Sequence, residues 1–461
     1  MSVTLLPATE QLSLLRRRAL TPLQLAEQHI AQIERLNPRL NALIDFDPDR
    51  VRAQARHPRP GPLSGLPVTV KSSISAAGYR CEIGSTLNRG QTPAQNAAAV
   101  QRLLDAGAIL LGTTNCPEFL MAYETENLLY GGTRNPWNLG YTAGGSSGGE
   151  SAAIAAGLSA AGIGSDSGGS VREPAHCTGI CALKPTAGRV PAAGHLPPCQ
   201  GPFAFLGAIG PMARTVADLE LLFATLAGQD PTDPAGAPIP HRPVSLDEAR
   251  QFPIGWFEDD GFVPVTGETR AAVQAAARAL ERRGFIVKRF RPQALEAARR
   301  LWWIFFVQCG AMLYEPTIRG HENELSPTFR DFLAIAQSAP PLTATSLLDA
   351  WVESGRVRSA LLQEMREFPV LLCPVCSIPA FHPGERAWTV EGQSVSYLDA
   401  MRYTQWFNLL GGPAAVVPVA RSAEGLPIGV QIAARPFDDE LALAVAAAIE
   451  SDFGYQPPPP R

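Results

Sequence analysis

Apolar and polar positions over the first quarter of the chain fall into alternating helix-like and strand-like periods. Leu23, Ala26, Ile30 and Ile33 recur at helical spacing, with Thr21 before them as cap, Pro22 in the first turn and Gln24 completing a capping box. These signals predict a helix over residues 21–36, ended by Asn37-Pro38. Gly65-Leu66-Pro67-Val68-Thr69-Val70 is apolar without a helical period and predicts a buried strand closing on Lys71. A second helix is expected from about Asn96 to Ala106, stopped by Gly107 and followed by the apolar strand Ala108 to Leu111. Val370-Leu371-Leu372 predicts a further buried strand. This alternation points to the α/β class. Gly228 to Val244 has no apolar period and holds Asp230-Pro231-Thr232-Asp233-Pro234-Ala235-Gly236, so it is expected to be a long surface connection or a boundary. Pro457 to Pro460 predicts an extended stub. No internal repeat is evident.

Composition narrows the classes. The 461 residues are 46% apolar and 18% charged, enough to bury a sizeable core, and no stretch approaches the ~20 apolar residues of a spanning helix. Lys plus Arg (39) against Asp plus Glu (43) gives a net charge of −4, which removes the electrostatic footprint of a dedicated nucleic-acid binder. Arg16-Arg17-Arg18 is followed by no apolar signal core, so the cytoplasm is the expected location. Among the eight cysteines, Cys177-x-x-x-Cys181 and Cys373-x-x-Cys376 invite a zinc or redox reading. The second pair sits in an apolar run and no His pair at ligand spacing follows, so buried thiols and no metal are expected.

The candidate chemistry is concentrated between residues 144 and 174. Gly144-Gly145-Ser146-Ser147-Gly148-Gly149 precedes a small-residue helix pattern reaching about Ala160, and Gly164-Ser165-Asp166-Ser167-Gly168-Gly169-Ser170-Val171-Arg172-Glu173-Pro174 follows it. Gly-rich turns let backbone N–H groups converge, to bind phosphate or to build an oxyanion hole. The Gly-Lys-Ser/Thr ending of a nucleotide loop is missing, which disfavours phosphate. Gly145-Ser146-Ser147-Gly148-Gly149 also matches the nucleophile elbow of α/β-hydrolases, with Ser147 as nucleophile, but none of the seven histidines reads as a catalytic base. Another base is needed, and a lysine serves when burial lowers its pKa. Lys71, at the buried end of an apolar strand, is the lysine so placed.

Lys71, Gly-Gly-Ser-Ser-Gly-Gly and Gly-Ser-Asp-Ser-Gly-Gly-Ser-Val-Arg-x-Pro-Ala together resemble the amidase signature family. The resemblance continues through Gly179, Leu183-Lys184-Pro185-Thr186, Gly188-Arg189-Val190 and Gly210-Pro211-Met212-Ala213-Arg214-Thr215 to Phe407-Asn408, Gly412-Pro413-Ala414 and Gly425-Leu426-Pro427-Ile428-Gly429-Val430-Gln431. It implies one amidase domain over 1–461, an α/β/α sandwich around a mixed β-sheet, with catalytic motifs in 61–220 and a variable pocket region in 230–370. It further implies a Ser-cisSer-Lys triad: Ser170 as nucleophile, Ser146 as relay on a cis peptide bond, Lys71 as base. The N–H groups of Ser167, Gly168, Gly169 and Ser170 would form the oxyanion hole. Ser147 and Asp166 are expected as supporting hydrogen-bond partners and Arg172 as a structural charge. Ser165 and Ser167 depart from the Thr-Asp-x of many members, which bears on selectivity.

The function so implied is hydrolysis of the carbon–nitrogen bond of small apolar or aryl amides, with esters and carbamates (urethanes) as further substrates of the same route and no cofactor; a homodimer is compatible with it. Two other readings stand beside it. A glutamyl-tRNA amidotransferase A-type subunit is disfavoured by Pro197-Pro198-Cys199-Gln200-Gly201-Pro202, which looks more like stand-alone amidases. A non-catalytic scaffold is disfavoured because Lys71, Ser146 and Ser170 are all kept. Leu301-Trp302-Trp303-Ile304-Phe305-Phe306-Val307 is either a core helix or, through Trp302, Trp303 and Phe306, the wall of a pocket for apolar or aryl groups; the run is too short for stable membrane insertion.

Overall fold

A computed structural model describes residues 2–459, so Pro460 at the end of the expected stub lies outside the described residues. Eleven strands form one mixed sheet. In spatial order they are Leu43–Phe46, Ile109–Thr114, Pro67–Lys71, Ala161–Asp166, Ala208–Ala213, Cys181–Lys184, Ala414–Arg421, Pro427–Ala434, Val370–Pro374, Ile254–Trp256 and Val287–Arg289. Pro67–Lys71 pairs in parallel with both its neighbours, and Ala161–Asp166 then pairs antiparallel with Ala208–Ala213. The central strands are buried along their whole length, which explains their apolar runs without alternation.

Helices cover both faces. Along Ala414–Arg421, Ala415 and Val417 pack into one hydrophobic cluster while Ala414 and Val416 join clusters on the other side, the period of two that a sheet between two layers requires. The expected α/β/α sandwich around a mixed sheet is therefore the fold.

Local signals were mostly realised. Thr21 caps the helix Pro22–Leu40, its hydroxyl accepting the Gln24 N–H at 3.1 Å while its own N–H donates to Gln24 Oε1 at 2.8 Å. This helix does not stop at Asn37-Pro38. It runs one turn further, carrying Leu40 into a buried cluster that includes Leu43 and Ile109, and proline in the last turn forfeits only one backbone bond. The small-residue helix ends at Ala155, earlier than the pattern indicated, and Gly164-Ser165-Asp166 belong to a strand rather than to the following turn. The segment 230–245 has no helix or strand, as expected of a surface connection. Helix Leu295–Trp302 passes through a π-helical stretch, Trp303–Gln308, into helix Cys309–Ile318. No helix among the described residues is long and apolar enough to cross a membrane.

Candidate active site

Strands Pro67–Lys71 and Ala161–Asp166 run in parallel, so their carboxyl ends bring Lys71 and Ser165 together. Lys71 is wholly buried. Its Nζ lies 2.6 Å from Ser146 Oγ and 3.2 Å from Ser165 Oγ. Ser146 reaches Lys71 from the turn before helix Gly148–Ala155, and the Gly145–Ser146 peptide bond is cis. Glu173 holds this turn by accepting the Gly145 N–H at 2.7 Å, and Ser147 N–H donates to the Ser170 carbonyl at 3.1 Å, tying the two Gly-Ser segments together. Ser146, Ser165, Ser167 and Ser170 line one cleft with His195, Phe203 and Phe306. Residues far apart in sequence thus converge on one cleft. Burial lowers the Lys71 pKa to about 8 against the upward pull of Cys116, Asp166 and Glu150.

The turn after Asp166 is set by its carbonyls. Trp302 Nε1–H donates to Ser167 O at 2.8 Å, Tyr123 and Thr404 hydroxyls donate to Gly168 O at 2.8 and 2.6 Å, and Glu173 N–H donates to Gly169 O at 2.7 Å. In a planar trans peptide the following N–H points the opposite way. The N–H groups of Gly168 and Ser170 are thereby turned away from these anchors, and neither donates to another protein group among the described residues. Gly169 differs: its N–H, one of the four expected oxyanion-hole donors, is taken by Asp166 Oδ1 at 2.8 Å. Gly169 has φ +125°, and a Cβ there would lie 2.4 Å from Thr404 Oγ1, which explains the glycine.

Asp166 is the hub beneath this turn. It accepts from Gly169 N, Val171 N, Arg172 Nε and Nη2, and Asn408 Nδ2. Burial pushes its pKa up, but the Arg172 charge and these donors outweigh burial and hold it well below the usual carboxylate range. Arg172 is completed by Thr404 O at 3.0 Å and Gln431 Oε1 at 2.6 Å. Asp166 and Arg172 are therefore structural partners, as expected. Ser147 is fully buried with its hydroxyl on Ser165 O at 3.4 Å, lies outside the cleft, and so is poorly placed as the nucleophile of a hydrolase elbow. Cys177 donates to Glu173 and Cys181 to Glu450, while Cys373 meets Gln431.

The aromatic run divides between roles. Phe306 lines both the cleft already described and an adjoining one lined by Tyr123, Gly168, Ser170, Phe332 and Tyr397. Trp302 lines neither cleft, which corrects its assignment to the pocket wall: fully buried, it stacks on Phe306 at 4.9 Å and anchors the Ser167 carbonyl, supporting the turn after Asp166 from behind. Trp303 lines neither cleft and packs against the aromatic core, which corrects its assignment to the pocket wall. Trp302 and Phe306, four residues apart, share one face, and Trp303, one residue on from Trp302, lies off it.

Sequence reasoning passed over His195. It lines the cleft, its Nε2 3.3 Å from Ser73 Oγ and its Nδ1 2.8 Å from Pro197 O. Only its proline-flanked loop marked it, and its neighbours come from other segments. Asp331 and Arg386, which pair at 2.9 Å, also line the adjoining cleft, and Arg386 reaches buried Glu124 at 2.7 Å.

A family model described as amidase matches residues 24–443. The chain is 32% identical to an indoleacetamide hydrolase of Bradyrhizobium diazoefficiens, over 97% of this chain and 86% of that protein. It is also 32% identical to the A-type subunit of a glutamyl-tRNA(Gln) amidotransferase from a Roseiflexus species, over 95% of this chain and 94% of the other. The solved structure of 6-aminohexanoate cyclic dimer hydrolase complexed with substrate superimposes with a TM-score of 0.87 at 28% identity, covering 99% of each chain.

Proposed function

Since the chain belongs to the amidase signature family and is a hydrolase of carbon–nitrogen bonds, we propose that it cleaves apolar or aryl amides through an acyl-enzyme on Ser170. The observation that carries this reading is the wholly buried Lys71, 2.6 Å from Ser146 Oγ, with Ser146 and Ser170 in one cleft. Neutral Lys71 takes the Ser146 proton as Ser146 takes that of Ser170, and Ser170 Oγ bonds to the substrate carbonyl carbon. The carbonyl oxygen becomes an oxyanion received by the N–H groups of Gly168 and Ser170, with Ser167 beside them. Lys71 then returns its proton through Ser146 to the leaving nitrogen, the carbon–nitrogen bond breaks, and an amine departs. Water, deprotonated along the same route, attacks the acyl-enzyme and releases the acid. Esters and carbamates give the same oxyanion and are expected substrates. The domain, on this reading, is single and needs no metal or cofactor.

Protonated Lys71 cannot accept, so the pH profile has a defined sign. With kcat/KM measured on an anilide, activity rises with pH through about 8, the value to which burial brings Lys71. An optimum below about pH 6 would contradict a lysine base.

The apolar partners of Ser170 in the adjoining cleft, Leu120, Phe306 and Phe332 among them, favour apolar acyl or aryl groups. Its charged residues Asp331 and Arg386 are already paired, leaving no evident pair of fixed charges for the two ends of free glutamine. Phe306→Ala should lower kcat/KM for a hexanamide and an anilide by about 10- to 100-fold, the range for a lost hydrophobic contact. Trp303→Ala should leave both near wild type. Glutamine turning over faster than either apolar amide would favour the amidotransferase-like reading instead.

A further inference from the structure

A neutral amine acting as base has one lone pair and two N–H donors, so the protons of its neighbours decide where the lone pair is used. Lys71 Nζ has two hydroxyl partners, Ser146 at 2.6 Å and Ser165 at 3.2 Å. Its lone pair serves the reaction only on Ser146. Ser165 Oγ lies 3.5 Å from Ser73 Oγ, the longest link of the series, and Ser73 Oγ lies 3.3 Å from His195 Nε2.

The far end of this series has a fixed direction. His195 Nδ1 meets Pro197 O at 2.8 Å, and a carbonyl only accepts, so Nδ1 carries the hydrogen. Burial lowers the His195 pKa to about 4, with the Lys71 charge acting in the same sense, so the ring is neutral and Nε2 is an acceptor. Cys199, 3.6 Å from Nδ1, stays a neutral thiol because burial pushes its pKa up to about 12.

We infer that His195 and Ser73 are positioning residues for the base. His195 Nε2 draws the Ser73 hydrogen, Ser73 Oγ draws the Ser165 hydrogen, and Ser165 Oγ accepts an N–H of Lys71, which leaves the lone pair to Ser146. No proton is transferred along this series. If the acceptor at its end is removed, the Ser165 hydrogen is free to turn onto the Lys71 lone pair and compete with Ser146. The inference rests on Lys71 being the base.

This competition predicts a sign that space-filling does not. The rate at which a fluorophosphonate labels Ser170 is measured at about pH 9, roughly one unit above the Lys71 value. Ser73→Ala should slow labelling about tenfold, a part of the ~10²- to 10⁴-fold that a positioned base contributes. Adding Ser165→Ala should restore much of that loss, because the competing hydroxyl is gone. His195→Phe, which keeps a ring without an acceptor, should behave as Ser73→Ala and recover in the same way; if one series fails to fold, the other decides. Wild-type labelling by Ser73→Ala, or a further loss on adding Ser165→Ala, overturns the inference. Lys71→Ala is run alongside, and if it labels at the wild-type rate the base assignment itself has failed, separately from the positioning role.

Discussion

Ser170→Ala and Lys71→Ala should each lower kcat by about 10⁴- to 10⁶-fold, because groups that act as a unit fail as a unit. The double variant should be scarcely worse than either single one. The reason lies in the arrangement: Lys71 meets the Ser146 hydroxyl at 2.6 Å in the cleft that Ser170 also lines, the proposed relay runs from Ser170 through Ser146, and a neutral lysine without the nucleophile has nothing to activate. Ser146→Ala should fall in the same range. Circular dichroism and thermal unfolding must show each variant folded for the comparison to count. Losses of Ser170→Ala and Lys71→Ala that multiplied in the double variant would mean that they act independently, against the shared route.

Asp166→Ala should destabilise the protein by about 3–5 kcal/mol, the cost of leaving a buried charge uncompensated. Both Asp166 and Arg172 side chains are completely buried and 2.9 Å apart. Removing the carboxylate leaves the Arg172 guanidinium with only the neutral acceptors Thr404 O, Gln431 Oε1 and Asn408 Oδ1. It also frees the N–H groups of Gly169 and Val171, so the turn carrying Ser170 loses its anchor. Urea unfolding is the measurement, and a loss under about 1 kcal/mol, the scale of an exposed ion pair, would contradict the hub role. The pH dependence has the same origin. A carboxylate held below its ordinary pKa contributes stability that is present above about 3.9 and lost as pH falls toward the folded value. Asp166→Ala should therefore flatten the acid limb of the wild-type stability curve.

What could be read from the chain and what could not divide along a physical line. The Thr21–Gln24 capping box was legible because both partners lie within one turn. The end of that helix was not, since Leu40 is held by residues of a strand that begins at Ile109. Lys71 stood out because an apolar strand leads a charged residue into the interior, and its neighbours Ser146 and Ser170 sat in glycine-rich turns whose composition is itself unusual. The direction of each N–H in the second turn was hidden, because Tyr123, Trp302 and Thr404 fix the carbonyls from distant segments and Asp166 captures Gly169. The aromatic run gave hydrophobicity without phase: Phe306 lines the cleft while Trp303 packs against the core, and which residue faces which is set by neighbours from distant segments. His195 was invisible for the same reason, its role depending on hydroxyls of Ser73 and Ser165 that no local pattern connects to it.

The central claim is that hydrolysis passes through a covalent ester of Ser170. Quenching wild-type enzyme in acid during turnover of an activated aryl ester, followed by intact-mass and peptide mass spectrometry, tests it most directly. The account predicts one acyl group per chain, carried by the peptide containing Ser170, and none in Ser170→Ala. An acyl group on Ser147 or on Cys199, or turnover with no acylated chain even when deacylation is slowed at low pH, would contradict it.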